Sequence, residues 1–159
     1  MKAIFAAGCF WGVQFYFDQV PGVTESTVGY TGGHTEKPTY ESVCAHGTGH
    51  AEAVELEFDP GQVSYEVLVK QFFRMHDPTQ LNRQGPDVGD QYRSAIFYMD
   101  DEQKQIAESV RDELQTTLGK PIATQITPAM SFYSAEEYHQ KFTERTGRGM
   151  CHIPYQDVG

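Results

Sequence analysis

The sequence predicts an α+β fold, a two-layer sandwich in which helices cover a mixed β-sheet. Short apolar or alternating segments, which are typical of strands, interleave with segments whose apolar residues recur at helical spacing. The chain of 159 residues is long enough for one compact domain with a sizeable core and short for two. It contains neither an internal repeat nor a linker, so we expect one domain over residues 1–159.

Strands in the first half of the chain are marked by apolar runs and by strict alternation of apolar and polar residues. An aromatic-rich segment that opens at Cys9 and ends before Pro21-Gly22 fits a helix. The alternating segment HAEAVELEFDP ends at Asp59-Pro60, a pair typical of turns. The predicted elements are a strand at 2–7, a helix at 9–20, a strand at 23–33, a loop at 40–50 and a strand at 50–60.

Helix boundaries in the second half are marked by capping residues. Ser64 caps a helix that ends at Asp77-Pro78, and Gly119 lies just past the helix that begins at Asp101. Ser134 and Glu137 form a capping box for one further helix. The predicted elements are a helix at 64–77, a glycine-rich loop at 80–91, a strand at 92–99, a helix at 101–118, a strand at 121–127, a helix at 135–146 and an irregular tail at 147–159.

Composition excludes several classes of partner. The 22 acidic residues outnumber the 12 basic ones and give a formal charge of −10, which disfavours nucleic acid or anionic membrane as the main partner. No apolar run approaches membrane-spanning length. The start MKAIFAAGC resembles a lipoprotein signal, but its apolar stretch AIFAA is shorter than the roughly 7–15 residues such a signal needs. We therefore expect a soluble, cytoplasmic protein.

The three cysteines, Cys9, Cys44 and Cys151, form neither a disulfide framework nor a zinc-ribbon pattern, since their number is odd and no CxxC occurs. Cys44, His46 and His50 together offer three metal ligands, although their spacing matches no standard zinc site. The alternative is a small buried thiol beside two polar loop histidines. We expect no metal and no organic cofactor.

Cys9 is placed where a reactive thiol is favoured, because it follows a strand and a glycine at the start of a helix. Unpaired N–H groups and the helix dipole stabilise a thiolate there. A buried structural thiol is the alternative.

Glu52 shares one face of its strand with Val54, Leu56 and Phe58, because side chains alternate. Burial would raise the pKa of this carboxyl and let it act as a general acid. A strand end that emerges into water is the alternative.

The residues after Cys9 narrow the range of reactions that a nucleophilic Cys9 could catalyse. A cysteine phosphatase needs an arginine and a phosphate-binding loop after the thiol, and CFWGVQF supplies aromatic residues instead. No histidine lies in a recognisable papain-like setting. Phe10 and Trp11 could bind a small apolar group such as a methyl, although Trp11 could instead simply pack in the core.

Several segments together resemble the peptide methionine sulfoxide reductases of the A type. They are GCFWG, GYTGG, PTYESVC, GHAEAVELEFDP, HDPTQLNRQGPDVGDQYRSAIF and YHQKFTERTGRGMC, and they span Ala3 to Cys151. The resemblance implies a ferredoxin-like core in a single catalytic domain. It also implies thiol-dependent reduction of methionine S-sulfoxide, free or in proteins, as repair of oxidative damage.

The resemblance also implies roles for individual residues. Cys9 would attack the sulfoxide sulfur, Glu52 would donate a proton to the oxygen, and the phenols of Tyr40 and Tyr92 would bind that oxygen. The implied substrate-binding residues are Phe10 and Trp11 around the methyl group and Asp87 at the polar end.

Regeneration is implied to use Cys151, on the tail 147–159, as the resolving cysteine that forms a disulfide with Cys9. Thioredoxin would then reduce this disulfide. The tail departs from the family pattern, since Met150 stands where a tyrosine is common and no cysteine follows Cys151. Cys44 gains no redox role from the resemblance. Two rival hypotheses stay open here, a thiol peroxidase that uses Cys9 and Cys151 and a metal-dependent binding module.

Overall fold

The computed structural model describes residues 1–45 and 47–146, and within them short strands and helices alternate. The helices and strands, in chain order, are β1 (Lys2–Ala7), α1 (Phe10–Asp18), β2 (Val23–Thr31), α2 (Tyr40–Cys44), β3 (Ala51–Phe58), α3 (Tyr65–Arg74), β4 (Arg83–Gln84), β5 (Asp87–Val88), β6 (Ser94–Tyr98), α4 (Asp101–Gln115), β7 (Gln125–Pro128), β8 (Tyr133–Ser134) and α5 (Phe142–Thr146). Two single turns of 3₁₀ helix lie at Asp90–Tyr92 and Glu137–His139.

The main sheet has the strand order β7-β6-β1-β3-β2-β8. Its pairs are antiparallel except β6 with β7, so the sheet is mixed. The four central strands follow a β-α-β-β-α-β order, with α1 and α3 as the crossovers and the fourth strand beside the first. This is a ferredoxin-like arrangement, and the predicted α+β class with a mixed sheet is confirmed.

The core lies between the sheet and its helices. Phe5 of β1 is fully buried, and its ring stacks on Phe17 of α1 at 5.2 Å and on Phe72 of α3 at 5.3 Å between centroids. These rings join both crossover helices to the central strand β1.

A smaller cluster on the opposite face of the sheet contains Ile4, Ala53 and Phe97, with Ala129 and Phe132 packed against it. Within the described ranges, 1–45 and 47–146, no helix is long and apolar enough to cross a membrane.

The predicted loop at 40–50 is wrong in its first part, because Tyr40–Cys44 form the short helix α2. Two reciprocal hydrogen bonds start this helix. The Ser42 N–H donates to Thr39 Oγ1 at 3.1 Å, and the Thr39 N–H donates to Ser42 Oγ at 2.8 Å. A serine thus replaces the Glu or Gln usual in a capping box, which is why the pattern did not predict a helix.

The single helix predicted over 135–146 is also wrong, because the segment divides into a 3₁₀ turn and α5. Ser134 pairs with Gly29 of β2 instead of capping. Between the turn and α5, Lys141 adopts a left-handed conformation with φ of 57°. Its N–H donates to Gln14 Oε1 at 2.7 Å, and its ammonium pairs with Asp18 Oδ2 at 2.7 Å. These contacts with α1 replace the helical hydrogen bonds that the local sequence favours.

The remaining differences are smaller. The glycine-rich loop at 80–91 contains the two-stranded hairpin β4–β5 and the start of a 3₁₀ turn. The helix α4 ends at Gln115, three residues before the predicted end, and β7 begins at Gln125, four residues after the predicted start.

Candidate active site

Cys9 is the N-cap residue of α1, immediately after the end of β1. Between them Gly8 has φ of 95°, a left-handed conformation that glycine adopts without steric cost. The turn leaves the thiol half-buried at the helix N-terminus, and the first turn of α1 contains no acidic residue. The dipole at this end of a helix favours negative charge on a sulfur placed there.

Glu52 lies next to this thiol. Its side chain points into the helix-covered face of β3 and is 1% exposed, so its predicted burial is confirmed and the alternative of a solvated strand end is wrong. The amide of Phe10, the residue after Cys9, donates to Glu52 Oε1 at 3.2 Å. Glu52 Oε2 is buried without a hydrogen-bond partner among the described residues.

This environment keeps the carboxyl protonated near neutral pH. Burial raises the pKa of Glu52 to about 8, the Phe10 amide opposes that shift, and the carboxylate of Asp87 adds to it. The group therefore holds a proton near neutral pH, as a general acid must.

Two phenols surround the same carboxyl. Burial raises the pKa of Tyr40, and negative charge at Glu52 raises it further. Burial likewise raises the pKa of Tyr92, with smaller contributions from Glu52 and then from three other acidic groups, Cys44, Asp87 and Cys9. Both phenols therefore remain protonated hydrogen-bond donors. Tyr40 lies within electrostatic range of Glu52, and Tyr92 lies within range of Glu52, Asp87 and Cys9, so the structure places these five candidate residues near one another.

Two aromatic side chains follow Cys9 and differ in exposure. Phe10 is 1% exposed and packs against Tyr30 at 5.7 Å and against His139 at 5.4 Å between ring centroids. Trp11 is partly exposed, and its indole stacks on Phe142 of α5 at 4.0 Å. The ring of Tyr40 lies nearly parallel to the indole at 6.3 Å. Trp11 thus presents an accessible apolar surface beside the thiol.

The sequence prediction missed two residues of the turn before α5. Glu136 Oε1 accepts from the Tyr30 hydroxyl at 3.0 Å, and Glu136 Oε2 accepts from the Tyr40 amide at 3.2 Å. His139 Nδ1 accepts from the indole N–H of Trp11 at 2.9 Å. Glu136 and His139 stand three apart, a spacing that would put both on one face of the predicted helix. Their shared face was the signal that the sequence offered, because two polar side chains on one helix face can both point toward the interior of the protein.

The alternative metal cluster is only partly described, because His46 lies outside the described residues. His50 uses both ring nitrogens, since the Gly33 amide donates to Nδ1 at 3.0 Å and Nε2 lies 2.7 Å from the Thr35 carbonyl oxygen. The thiol of Cys44 shares a hydrogen bond with the Tyr40 hydroxyl. The described residues contain no group of three His, Cys, Asp or Glu that could hold a metal ion.

Cys151, the resolving cysteine that the resemblance implies, lies outside the described part of the chain.

Comparison with known proteins identifies the family. A family model described as peptide methionine sulfoxide reductase matches residues 1–158. The chain belongs to the peptide methionine sulfoxide reductase family. A relative from Acidobacterium capsulatum, "Peptide methionine sulfoxide reductase MsrA", is 51% identical over 154 residues, which cover 96% of this chain and 99% of the relative.

Solved structures of the family agree with the fold. Mxr1 from Saccharomyces cerevisiae in its reduced form is 35% identical, with a TM-score of 0.87, and the match covers 94% of this chain and 87% of that one. Mxr1 in complex with Trx2 is 27% identical, with a TM-score of 0.63, and covers 89% of this chain and 84% of that one. The family resemblance predicted from the sequence is confirmed.

Proposed function

We propose that this chain is a catalytic domain that reduces methionine S-sulfoxide, free or in proteins, to methionine, with Cys9 as the nucleophile. Membership of the reductase family gives the substrate and the reaction. The observation that carries the residue roles is the buried carboxyl of Glu52, which accepts a hydrogen bond from the amide that follows Cys9 and whose pKa burial raises to about 8. Sulfoxide reduction needs a thiolate that attacks the sulfur and a nearby proton donor for the oxygen.

In the proposed reaction the Cys9 thiolate attacks the sulfoxide sulfur while Glu52 protonates the oxygen. An S–S bond forms between Cys9 and the substrate sulfur as the S–O bond breaks, and the oxygen takes a second proton from solvent and leaves as water. Water then attacks the Cys9 sulfur, the S–S bond breaks, one proton returns to solvent, and the products are methionine and a Cys9 sulfenic acid. Two electrons pass from the thiol to the sulfoxide. Glu52 regains its proton from solvent before the next turnover.

Tyr40 and Tyr92 are proposed to donate hydrogen bonds to the sulfoxide oxygen, where negative charge develops as the S–O bond weakens. Both are protonated and held near Glu52. By analogy with oxyanion holes, each donor aimed at this charge lowers the barrier by about 2.7–4 kcal/mol. Phe10 and Trp11 would surround the methyl group, and Asp87 would fix the polar end of the substrate.

Cys151 is the proposed resolving thiol. It would condense with the Cys9 sulfenic acid, forming an S–S bond and releasing water. Thioredoxin would then reduce the disulfide by exchange, a proposal supported by the complex of yeast Mxr1 with Trx2. The cycle uses no metal and no organic cofactor. We propose the cytoplasm as the location, because thiols stay reduced there.

A single turnover without reductant tests the proposed function. Reduced protein mixed with excess N-acetylmethionine sulfoxide should form about one equivalent of N-acetylmethionine, and mass spectrometry should show the loss of two hydrogens from the protein. A protein that forms no N-acetylmethionine but consumes hydrogen peroxide would contradict the proposal and favour a thiol peroxidase.

Cys151→Ser is expected to keep the first turnover and to lose thioredoxin-driven cycling, because the sulfenic acid then has no partner thiol. The measurement is methionine formed per enzyme with thioredoxin, thioredoxin reductase and NADPH. Cys44→Ser is the matched control and should continue to cycle. Full cycling by Cys151→Ser would move the resolving role to Cys44 or to direct attack by the reductant.

A further inference from the structure

The indole of Trp11 makes one hydrogen bond within residues 1–45 and 47–146, from its N–H to His139 Nδ1 at 2.9 Å. Since Nδ1 accepts, the proton of the neutral ring lies on Nε2. His139 is 1% exposed, and burial lowers its pKa, which keeps the ring neutral and Nδ1 available as an acceptor. Protonation of Nδ1 would abolish this hydrogen bond.

His139 itself is fixed on several sides. Its ring packs against Phe10 at 5.4 Å, Tyr40 at 4.6 Å and Tyr138 at 4.1 Å between centroids. The next residue, Gln140, accepts from the Val28 amide and donates to the Val28 carbonyl, both at 3.0 Å. The segment that carries His139 is therefore anchored to β2, and the imidazole itself packs among aromatic rings.

The other contacts of the indole among the described residues are between stacked rings, that of His139 at 5.6 Å between centroids included. Stacking on Phe142 and Tyr40 fixes the plane of the ring but tolerates rotation and translation within that plane. A hydrogen bond has a preferred angle and length, so the His139 contact removes that remaining freedom. The hydrogen bond thus fixes the edge of the indole, and in the proposed function this edge borders the substrate's alkyl group.

We propose that His139 is a positioning residue that holds Trp11 and thereby sets the size of the alkyl group that the site accepts on the sulfoxide sulfur. The inference rests on the proposed function, in which Trp11 borders the methyl group. One methylene in an apolar pocket changes discrimination by about 10–200-fold, so a displaced indole should be measurable as lost selectivity. A displacement of about 1 Å is enough to cost catalysis as well.

Two variants of His139 separate the effect of its hydrogen-bond acceptor from the effect of its ring. His139→Phe keeps a planar ring of similar size and removes the acceptor, whereas His139→Asn puts an amide oxygen near the position of Nδ1. The measurement is the ratio of kcat/KM for N-acetylmethionine sulfoxide to that for N-acetylethionine sulfoxide. We expect this ratio to fall about tenfold or more in His139→Phe and to stay within about threefold of wild type in His139→Asn.

The substitution His139→Phe in a Trp11→Phe background tests whether His139 acts through the indole. If His139 acts through the indole, His139→Phe should change the ratio little once the indole is absent. An equal change in both backgrounds would overturn the inference, because His139 would then act by another contact. If the wild-type protein is active and His139→Phe has the same kcat/KM ratio as the wild type, this inference alone is overturned. Wild-type protein that reduces neither sulfoxide would overturn the proposed function as well.

Trp11 is the chain's one tryptophan, so the hydrogen bond can be observed without a variant. In a ¹H–¹⁵N spectrum the single indole N–H signal should be shifted downfield and exchange slowly with water. His139→Phe should move it upfield and speed its exchange, and His139→Asn should preserve both properties. Rapid exchange in the wild-type protein would overturn the inference even if His139→Phe fails to fold.

Discussion

Cys9→Ser is expected to abolish formation of methionine, with a fall in kcat on the order of 10⁴-fold or more, as for removal of other covalent nucleophiles. The hydroxyl keeps the size of the thiol at the start of α1, but it is not ionised at neutral pH and cannot take up the oxygen as a sulfenic acid. The measurement is a single turnover with N-acetylmethionine sulfoxide.

The control for this prediction is Cys44→Ser. A serine hydroxyl can replace the hydrogen bond that the Cys44 thiol shares with Tyr40. We expect this variant to form methionine in a single turnover as the wild-type protein does. Cys9→Ser that still formed methionine would contradict the assignment of the nucleophile.

Glu52→Gln is expected to lower kcat by about 10²–10⁴-fold, because the amide can accept from the Phe10 N–H but has no acidic proton to deliver. The pKa of Glu52 is raised to about 8, so the rate of the chemical step in the wild-type enzyme should fall as pH rises through that value. The rate of the Glu52→Gln variant should not show this fall with rising pH. Single-turnover rates between pH 6 and 9 measure both effects.

The raised pKa also has a consequence for stability. Between the usual value of 4.5 and about 8, the folded state holds a proton on Glu52 that the unfolded state releases. The free energy of unfolding therefore falls as pH rises through this window, by an amount on the order of a few kcal/mol. Glu52→Gln should remove much of this fall, which denaturant titrations at pH 5 and pH 8 would show.

The control for both effects is Glu57→Gln, which changes a partly exposed carboxyl on the opposite face of β3. It should leave the rate and its pH dependence unchanged. A Glu52→Gln rate equal to that of the wild-type enzyme would remove Glu52 from the acid role.

The parts of the site that lie on regular elements could be predicted from the sequence. Glu52 was assigned to the buried face because strand alternation fixes the side on which each residue lies. Cys9 was placed at a helix start by the glycine before it and the helical segment after it. Neither assignment depends on residues far away in the chain.

The parts set by distant contacts could not be predicted. Residues 135–146 have the local pattern of one helix, but the Lys141 amide bonds to Gln14, 127 residues earlier, and this contact breaks the helix. Glu136 and His139 reach the site because of that break. A local pattern contains no information about such a partner, so these two residues were missed.

The most direct test of the central claim is chiral chromatography of N-acetylmethionine sulfoxide, with both sulfur epimers present, after incubation with the protein and dithiothreitol. We predict that only the S epimer disappears and that N-acetylmethionine forms in equal amount. Persistence of both epimers, with folded protein and reduced Cys9, would contradict the claim that this chain is an active methionine S-sulfoxide reductase.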